Sequence, residues 1–266
     1  MAPVSVLPLL TAAILIILTT AFLRWLHVLP SASRKHWNPN IKYPKTTPSQ
    51  IVVVLGSGGH TAEMMSLLRD VDPTRYKRRT YIVSSGDSFS TAKASEIEKR
   101  IQDRSNRNAR RLARATEAGQ YDATTGIWAV KTVPRARKIH QPLYSTPFSA
   151  LWCLFGCFKV LYETRRDTRS APGQFPDLIM ANGPATAVIV IFAATILRYL
   201  SLAPLWTMKV IYIESWARVK TLSLSGKILL KLGVCTKFMV QWEALAKEIN
   251  GSSGKELVEW RGFLVE

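Results

Sequence analysis

A glycine-rich turn holds the side chains of this sequence that are best suited to chemistry. It reads Gly56-Ser57-Gly58-Gly59-His60-Thr61 and follows the apolar run 51–55. Glycine lacks a Cβ, so the turn can be tight and a ligand can approach its backbone closely. A helix that begins here presents free N–H groups and the positive end of its dipole, a combination that binds anions. We therefore predict a phosphate-binding turn, the alternative being an ordinary strand-to-helix connection without a ligand.

His60 is the titratable side chain of this turn. An imidazole titrates near neutral pH and can accept a proton from a hydroxyl group, which makes His60 a candidate general base. The alternative is that His60 holds the turn by a local hydrogen bond. Glu214 follows another apolar run and either orients a ligand hydroxyl or caps the next helix. We treat both residues as catalytic candidates.

Two common phosphate-binding templates fit the turn poorly. The Gly-Lys-Ser/Thr of a Walker loop is absent from it. The dinucleotide pattern is met at Gly56 and Gly58, but Thr61 stands in the third glycine's place. No acidic residue follows about 20 positions later to hold a ribose. A nicotinamide-dependent oxidoreductase is therefore disfavoured, and we predict no cofactor.

The elements that must position these side chains can be read from the hydrophobic pattern. Continuous apolar runs alternate with helical patterns, which predicts an α/β fold with a Rossmann-like parallel sheet. The predicted strands are 51–55, 80–84, 128–133, 177–181, 209–213 and 237–240. The turns 56–61, 182–186 and 214–218 each follow a strand, and open parallel sheets bind ligands at that edge. We expect Asn182 and Gly183 to join the glycine turn in binding phosphate.

Charge and cysteine content narrow the class of partner. The formal charge of +18 favours an anionic partner, either nucleic acid or a phospholipid surface. The apolar N-terminal segment accounts for the basic surface through a membrane, so we predict no nucleic acid. Cys153, Cys157 and Cys235 have neither metal-ligand spacing nor an even number, which predicts buried reduced thiols and no metal site.

Residues 1–30 are predicted to be a transmembrane anchor. Residues 1–23 contain no charged side chain, and 4–23 is long enough to cross a bilayer. Basic residues follow the span from Arg24 onward, which places the N-terminus in the lumen and the body in the cytosol. A cleaved signal peptide is the competing interpretation. A proline-containing linker is predicted at 31–50, a Rossmann-like lobe at 51–254 and a tail at 255–266.

Two further segments carry unusual composition. The predicted basic insert 98–125 belongs to a helical segment whose arginines lie on one face. These arginines are predicted to contact anionic headgroups, the alternative being a solvated charged helix or a disordered insert. Those arginines are Arg100, Arg104, Arg107, Arg111 and Arg114. The segment 143–162 is apolar and aromatic. It is predicted either to lie in the membrane interface or to be a buried core helix.

Four motifs, taken in order, resemble the asparagine-linked glycosylation fourteen family. They are Gly-Ser-Gly-Gly-His-Thr at 56–61, Ala-Asn-Gly-Pro-Ala-Thr at 181–186, Tyr-Ile-Glu-Ser-Trp-Ala-Arg-Val at 212–219 and Phe-Met-Val-Gln-Trp at 238–242. The resemblance implies the amino-terminal lobe of a two-lobed, inverting glycosyltransferase. It also implies a membrane-anchoring subunit of the enzyme that adds the second N-acetylglucosamine to dolichyl-diphosphate-N-acetylglucosamine for protein N-glycosylation.

That family is similar to the amino-terminal half of the bacterial lipid-linked glycosyltransferase of peptidoglycan synthesis. In that relative, the glycine-rich loop and a Glu-containing turn face the lipid-linked acceptor. This implies catalytic roles for His60 and Glu214. Acceptor diphosphate contacts are expected from Gly56, Ser57, Gly58, Gly59, Thr61, Asn182 and Gly183. One departure is that the bacterial Glu-Gln-Asn is Glu-Ser-Trp at 214–216 here, so the asparagine amide is missing.

The resemblance further implies a separate partner for the donor sugar. The sequence ends about where an inter-lobe linker is expected, so UDP-N-acetylglucosamine would be held by a soluble catalytic subunit of the asparagine-linked glycosylation thirteen family. The tail would dock that partner through Val258, Phe263, Leu264 and Val265. The expected location is the endoplasmic reticulum membrane, with the nuclear envelope as a second candidate, and the chain is not expected to be active alone. A membrane scaffold without acceptor-site chemistry is the alternative.

Overall fold

Seven parallel strands form one sheet through the centre of the computed structural model. The structure describes residues 6–30, 49–116, 125–137, 141–166, 174–183 and 185–264. The strands are β1 Gln50–Val54, β2 Arg78–Ser84, β3 Ile127–Val133, β4 Leu178–Asn182, β5 Lys209–Ile213, β6 Lys237–Val240 and β7 Glu259–Trp260. Their order across the sheet is β3-β2-β1-β4-β5-β6-β7. All the strands predicted from the sequence are present, and the Rossmann-like α/β fold is confirmed.

Helices cover both faces of this sheet, as a parallel sheet requires. They are α1 Val6–Val28, α2 Gly59–Leu67, α3 Ser88–Thr116, α4 Thr146–Arg166, α5 Thr186–Tyr199, α6 Leu224–Leu232 and α7 Glu243–Ser253. One core cluster joins β1 and β2 to α2 and α3 through buried residues such as Met64 and Ile97. A larger cluster joins the other face to α4–α7 through residues such as Leu161, Val190 and Leu229. The helices α4 and α5 pack together and are called the α4–α5 layer below.

The short strand β7 was not predicted, because two residues are too few to show a hydrophobic pattern. It pairs in parallel with β6 and extends the sheet at its edge. Val258, immediately before β7, is 1% exposed and belongs to the larger core cluster. Part of the predicted tail is therefore folded into the body, and Val258 is not available for docking a partner.

The predicted basic insert does not begin as a separate segment. Helix α3 runs without interruption through residue 98, and Glu98 and Ile101 are buried against the body. Arg104 donates hydrogen bonds to the Asp70 carboxylate and to neighbouring carbonyl groups. An inner apolar face at helical spacing thus holds this part of α3 to the sheet. Residues 117–124 of the predicted insert and most of the predicted linker lie outside the described residues.

Helix α1 is the one helix among the described residues that is long and apolar enough to cross a bilayer. Its C-terminal end contacts the body, because Arg24 donates hydrogen bonds to the carbonyl oxygens of Arg198, at 2.9 Å, and Tyr199, at 3.0 Å. Arg24 also donates to the Ser201 hydroxyl at 2.8 Å. The last carbonyls of a helix lack intrahelical donors and carry a partial negative charge. Arg24 therefore caps α5 and fixes the end of α1 to the α4–α5 layer, a contact that the sequence did not reveal.

The aromatic segment 143–162 forms most of α4, and its two faces differ. Cys153 and Cys157 are buried free thiols, as is Cys235 in the same core cluster. Phe148 and Trp152 are 78% and 69% exposed, and Leu151 and Phe155 are exposed beside them. The segment is therefore a core helix on its inner side. Its outer side, called the aromatic face of α4, consists of Phe148, Leu151, Trp152 and Phe155.

Candidate functional site

The candidate site lies at the carboxyl ends of β1, β4 and β5, at the point where the chain reverses its direction across the sheet. Strand β1 pairs with β2 on one side and with β4 on the other. The connection after β1 leads to α2, and the connection after β4 leads to α5 on the opposite face. The two turns separate here and leave a crevice, which is where open α/β sheets bind ligands. The structure thus brings the three predicted turns to one edge.

The backbone of the glycine turn is open to solvent. Gly58 has a φ of 63°, a conformation that favours glycine, and α2 begins at the next residue. Ser57, Gly58 and Gly59 are exposed, and a Cβ built on either glycine would meet nothing within 4 Å. The first N–H groups of a helix have no partner within it. This geometry suits an anionic group placed above the turn.

Gly56 and Gly183 serve a different purpose from the one predicted, since they make room for the His60 side chain. A Cβ on Gly56 would lie 2.8 Å from the His60 Cβ, and one on Gly183 would lie 2.8 Å from its Cγ. Gly183 also has a φ of 89°, which disfavours any other residue. These glycines let the imidazole lie between the turns after β1 and β4.

His60 is held with one ring nitrogen inward. Its side chain is 29% exposed, and Nδ1 is buried with no hydrogen-bond partner among the described residues. The nearest carboxylate oxygen, Oε2 of Glu63, is 4.0 Å from Nδ1. The imidazole is therefore fixed in position beside Glu63, at the edge of the sheet that carries the glycine turn.

Glu63 is a central residue of this site that sequence reasoning missed. It lies three residues after His60 on α2, and its side chain is 14% exposed. Its carboxylate accepts hydrogen bonds from Asn182 Nδ2, at 2.7 Å, and from Ser215 Oγ, at 2.8 Å. One side chain thus joins the turns after β1, β4 and β5. The three-residue spacing between His60 and Glu63 puts both side chains on one face of α2. This spacing is the feature of the sequence from which Glu63 could have been predicted.

Thr61 and Asn182 support the site instead of facing a ligand. Thr61 is fully buried, and its hydroxyl bonds to the Gly56 carbonyl and to Ser90 Oγ. Asn182 is also fully buried and donates to Glu63. The predicted diphosphate contacts from these two side chains are therefore replaced by structural ones. Among the residues predicted to bind phosphate, Ser57, Gly58 and Gly59 keep an open approach.

Glu214 lies at the N-terminus of α6, where its carboxylate holds Ser223, the residue that caps this helix. It is 1% exposed, and Oε2 accepts hydrogen bonds from the Ser223 amide, at 3.1 Å, and the Ser223 hydroxyl, at 3.0 Å. Ser223 in turn caps the N-terminus of α6. Gly226 leaves room for this carboxylate, since a Cβ at position 226 would contact Glu214 Oε2. The carboxylate supports α6 from beneath the site.

Replacing Glu214 should therefore destabilise the chain before it affects chemistry. We expect Glu214→Ala to lower the free energy of unfolding by about 2 kcal/mol, the value of hydrogen bonds to a charged group. For a chain of this size that shifts the melting temperature by roughly 4–8 °C. The control is Glu243→Ala, which removes an exposed carboxylate paired with Lys247. An unchanged melting temperature together with lost turnover would instead assign Glu214 to catalysis.

The end of the chain lies at the same edge of the sheet. Trp242 packs between Trp216, with ring centres 5.5 Å apart, and Phe263, which it meets edge to face with ring centres 5.2 Å apart. The amide of Leu264 donates to the Gln241 side chain at 3.1 Å. Phe263 and Trp216 are both largely exposed. An aromatic surface, defined by Trp216, Trp242 and Phe263, therefore adjoins the candidate site, whereas Val265 lies outside the described residues.

Comparison with known proteins gives the same answer as the motifs. The family profile described as "Oligosaccharide biosynthesis protein Alg14 like" matches residues 51–255. This chain belongs to the Alg14 family. The UDP-N-acetylglucosamine transferase subunit alg14 of Aspergillus fumigatus is 37% identical over 238 residues, covering 76% of this chain and 100% of that protein.

More distant members of the Alg14 family extend the match. The corresponding subunit of Yarrowia lipolytica is 32% identical over 249 residues, covering 94% of this chain and 95% of that protein. The Homo sapiens subunit is 32% identical over 198 residues, covering 74% of this chain and 77% of that protein. Membership in the Alg14 family confirms the predicted family and the prediction that the chain is a glycosyltransferase subunit.

Proposed function

We propose that this Alg14-family chain is the membrane-anchored, acceptor-binding subunit of a two-chain N-acetylglucosaminyltransferase. The acceptor is dolichyl-diphosphate-N-acetylglucosamine, and the product carries the second N-acetylglucosamine of the oligosaccharide used for protein N-glycosylation. The observation that carries the proposal is the open glycine backbone next to His60, at an edge where Glu63 joins three turns. Ligand-binding turns at such an edge are characteristic of this fold.

Each part of the site has a role in the proposed reaction. The backbone of residues 57–59 binds the acceptor diphosphate, since the start of α2 attracts anions. His60 takes the proton from the acceptor 4-hydroxyl as that oxygen forms a bond to the anomeric carbon of the donor. The bond from the anomeric carbon to uridine diphosphate breaks on the opposite side, which inverts the configuration. Glu63 stabilises the imidazolium that results, because its carboxylate is 4.0 Å from Nδ1.

The donor is supplied by a second chain. The relatives of this chain are named as subunits, which supports a heteromeric enzyme. We assign UDP-N-acetylglucosamine to a soluble partner of the asparagine-linked glycosylation thirteen family. The exposed aromatic surface and Leu264 lie at the same edge as His60, so a partner docked there would face the acceptor. A complex that holds both substrates in the right orientation makes their reaction effectively unimolecular, so it does not depend on a slow encounter in solution.

The membrane is the endoplasmic reticulum, with α1 as a single span, a lumenal N-terminus and a cytosolic body. Arg24 follows the uncharged stretch of α1, and charges on that side favour the cytosol. The contact between Arg24 and the end of α5 ties the span directly to the catalytic body. The body is thereby held close to a lipid-linked acceptor.

Replacement of His60 tests the proposed chemistry. We expect His60→Ala to lower turnover by the reconstituted pair at least about tenfold, since a positioned general base contributes 10²–10⁴-fold and water can replace part of it. Binding of the partner should not change, because His60 is not one of the residues of the aromatic surface. The measurement is transfer of labelled N-acetylglucosamine to a short-chain acceptor, together with co-purification of the partner. Unchanged turnover would assign His60 to the structure of the turn.

A second candidate function is a scaffold that recruits the catalytic chain without taking part in chemistry. The exposed aromatic surface is the observation that favours it. Deleting residues 263–266 distinguishes the scaffold function from the acceptor-binding function. A scaffold without this segment would bind neither the partner nor the lipid acceptor, whereas an acceptor-binding lobe would lose the partner and keep its affinity for the lipid acceptor.

A further inference from the structure

The loop that joins α5 to β5 carries large apolar side chains that the fold leaves uncovered. Leu202 and Trp206 are 58% and 68% exposed, and Leu200 and Leu205 are exposed with them. Contiguous apolar surface of this kind marks an interaction site in most proteins. We define the loop surface as Leu200, Leu202, Leu205 and Trp206.

Hydrogen bonds fix the backbone of this loop, so its exposed side chains have defined positions on the surface. The amides of Leu202 and Ala203 both donate to the Leu197 carbonyl, at 2.9 and 3.1 Å. Ser201 adopts a φ of 59°, which turns the chain sharply after α5. Ala203 is buried between the exposed positions. The loop therefore fixes its apolar side chains outward.

The loop lies next to helix α1, and this neighbour indicates which kind of partner covers the loop surface. Arg24, at the end of the membrane-crossing helix α1, bonds to Arg198, Tyr199 and Ser201 at the start of the loop. Trp25 of α1 packs against Tyr199, with ring centres 6.3 Å apart. Charged and aromatic residues at the end of a membrane span mark the level of the lipid headgroups. The loop is therefore held at that level, with its leucines and tryptophan directed outward.

The position of the candidate site restricts how α5 can lie relative to the membrane. Helix α5 begins at the edge that carries the site and ends at the loop, and its 14 residues span about 21 Å. The site can reach a diphosphate at the membrane surface only if α5 lies along that surface. The aromatic face of α4 belongs to the same layer, and α4 follows the carboxyl end of β3, at the edge of the sheet that also carries the site. Apolar surface is thus present near both ends of the α4–α5 layer.

We propose that the α4–α5 layer lies flat on the bilayer, with the loop surface beside α1 as one contact and the aromatic face of α4 as the other. The occupant of both surfaces is phospholipid. Tryptophan and leucine side chains enter the boundary between headgroups and acyl chains, as they do in interfacial helices. This inference rests on the proposed membrane anchoring by α1.

Spin labels placed one at a time on the full chain in phospholipid vesicles test the proposal. The native cysteines are buried, so a new surface cysteine can be labelled selectively. Labels are placed with Leu202→Cys and Phe148→Cys, with Leu15→Cys in α1 as the deep reference. Lys99→Cys, exposed on α3 of the opposite layer, is the aqueous reference. Collisions with oxygen and with a water-soluble nickel complex give the depth of each label.

We expect the labels at positions 202 and 148 to lie about 5–10 Å below the headgroups, the depth of interfacial helices. A label at either position that is as accessible to nickel as the one at position 99, while the label at 15 is deep, overturns the proposal and leaves the anchor intact. A label shielded from both reagents also overturns it, because a protein surface and not lipid then covers that position. An accessible label at position 15 would instead contradict the membrane anchoring itself.

Discussion

Glu63→Ala is expected to lower transfer by the reconstituted pair about a hundredfold. The carboxylate accepts hydrogen bonds from Asn182 and Ser215 and lies beside His60, so its removal leaves the three turns without a common partner. A displacement of about 1 Å in a reacting group costs about 10²-fold. The loss should appear in kcat, because the open backbone of residues 57–59 is untouched.

The control for this prediction is Glu96→Ala, which removes a solvent-exposed carboxylate from α3 that pairs with Lys93 and Arg100. It should leave turnover unchanged. Glu63→Gln keeps the shape of the side chain and removes its charge, so it should retain more activity than Glu63→Ala. Turnover that falls only in proportion to the fraction of unfolded protein would mean that Glu63 stabilises the fold and does not position the site.

The largest loss of stability is expected at Arg79 and Glu98. Their side chains are buried and form paired hydrogen bonds of 2.7 and 2.6 Å, and Glu98 also accepts one from Tyr81 at 2.6 Å. Burial disfavours the charge on Arg79, but the hydrogen bonds and charge of Glu98 outweigh it and raise the pKa of Arg79. Burial, and next the nearby Glu98, raises the pKa of Tyr81. The pair joins β2 to α3 as one buried ionic unit.

Breaking this unit from one side leaves a buried charge without its counter-ion. Arg79→Met alone, or Glu98→Leu alone, should lower the free energy of unfolding by about 3–5 kcal/mol. The double replacement should recover much of that loss, because apolar side chains of similar volume can substitute for a buried ion pair. Thermal unfolding of the four proteins measures the coupling between the two positions. Additive losses would contradict the assignment of the pair as one unit.

The sheet could be predicted from the sequence because its strands are buried on both faces. Runs such as 51–55 and 209–213 are apolar throughout, and each ends in a turn of distinctive composition. Their alternation with helices specifies the parallel arrangement, which in turn puts the turns at one edge. Strand β7 was not predicted, because two residues are too few to show a hydrophobic pattern. The neighbouring Val258 is buried in the core, which the sequence of so short a segment does not show.

The sequence predicted which turns meet at one edge of the sheet, but it did not predict the contacts that their side chains make there. His60 and the open glycines lie where the motifs placed them, yet the glycines at 56 and 183 accommodate the imidazole through a contact between distant segments. Glu63 looks like an ordinary polar helix residue until α2 is packed beside the turn after β4. From its position alone Glu214 could cap a helix or contact a ligand, and the sequence does not show that its carboxylate accepts a hydrogen bond from Ser223. Contacts between separate turns are fixed by packing, which local sequence does not report.

The central claim is that this chain binds the acceptor and depends on a partner for the donor. The most direct test measures binding of dolichyl-diphosphate-N-acetylglucosamine and of UDP-N-acetylglucosamine to the purified full chain, followed by transfer with and without the partner. We expect the chain alone to bind the lipid acceptor, to retain no uridine nucleotide, and to transfer sugar only when the partner is added. Tight nucleotide binding or transfer by the isolated chain would contradict the division of the enzyme into two halves.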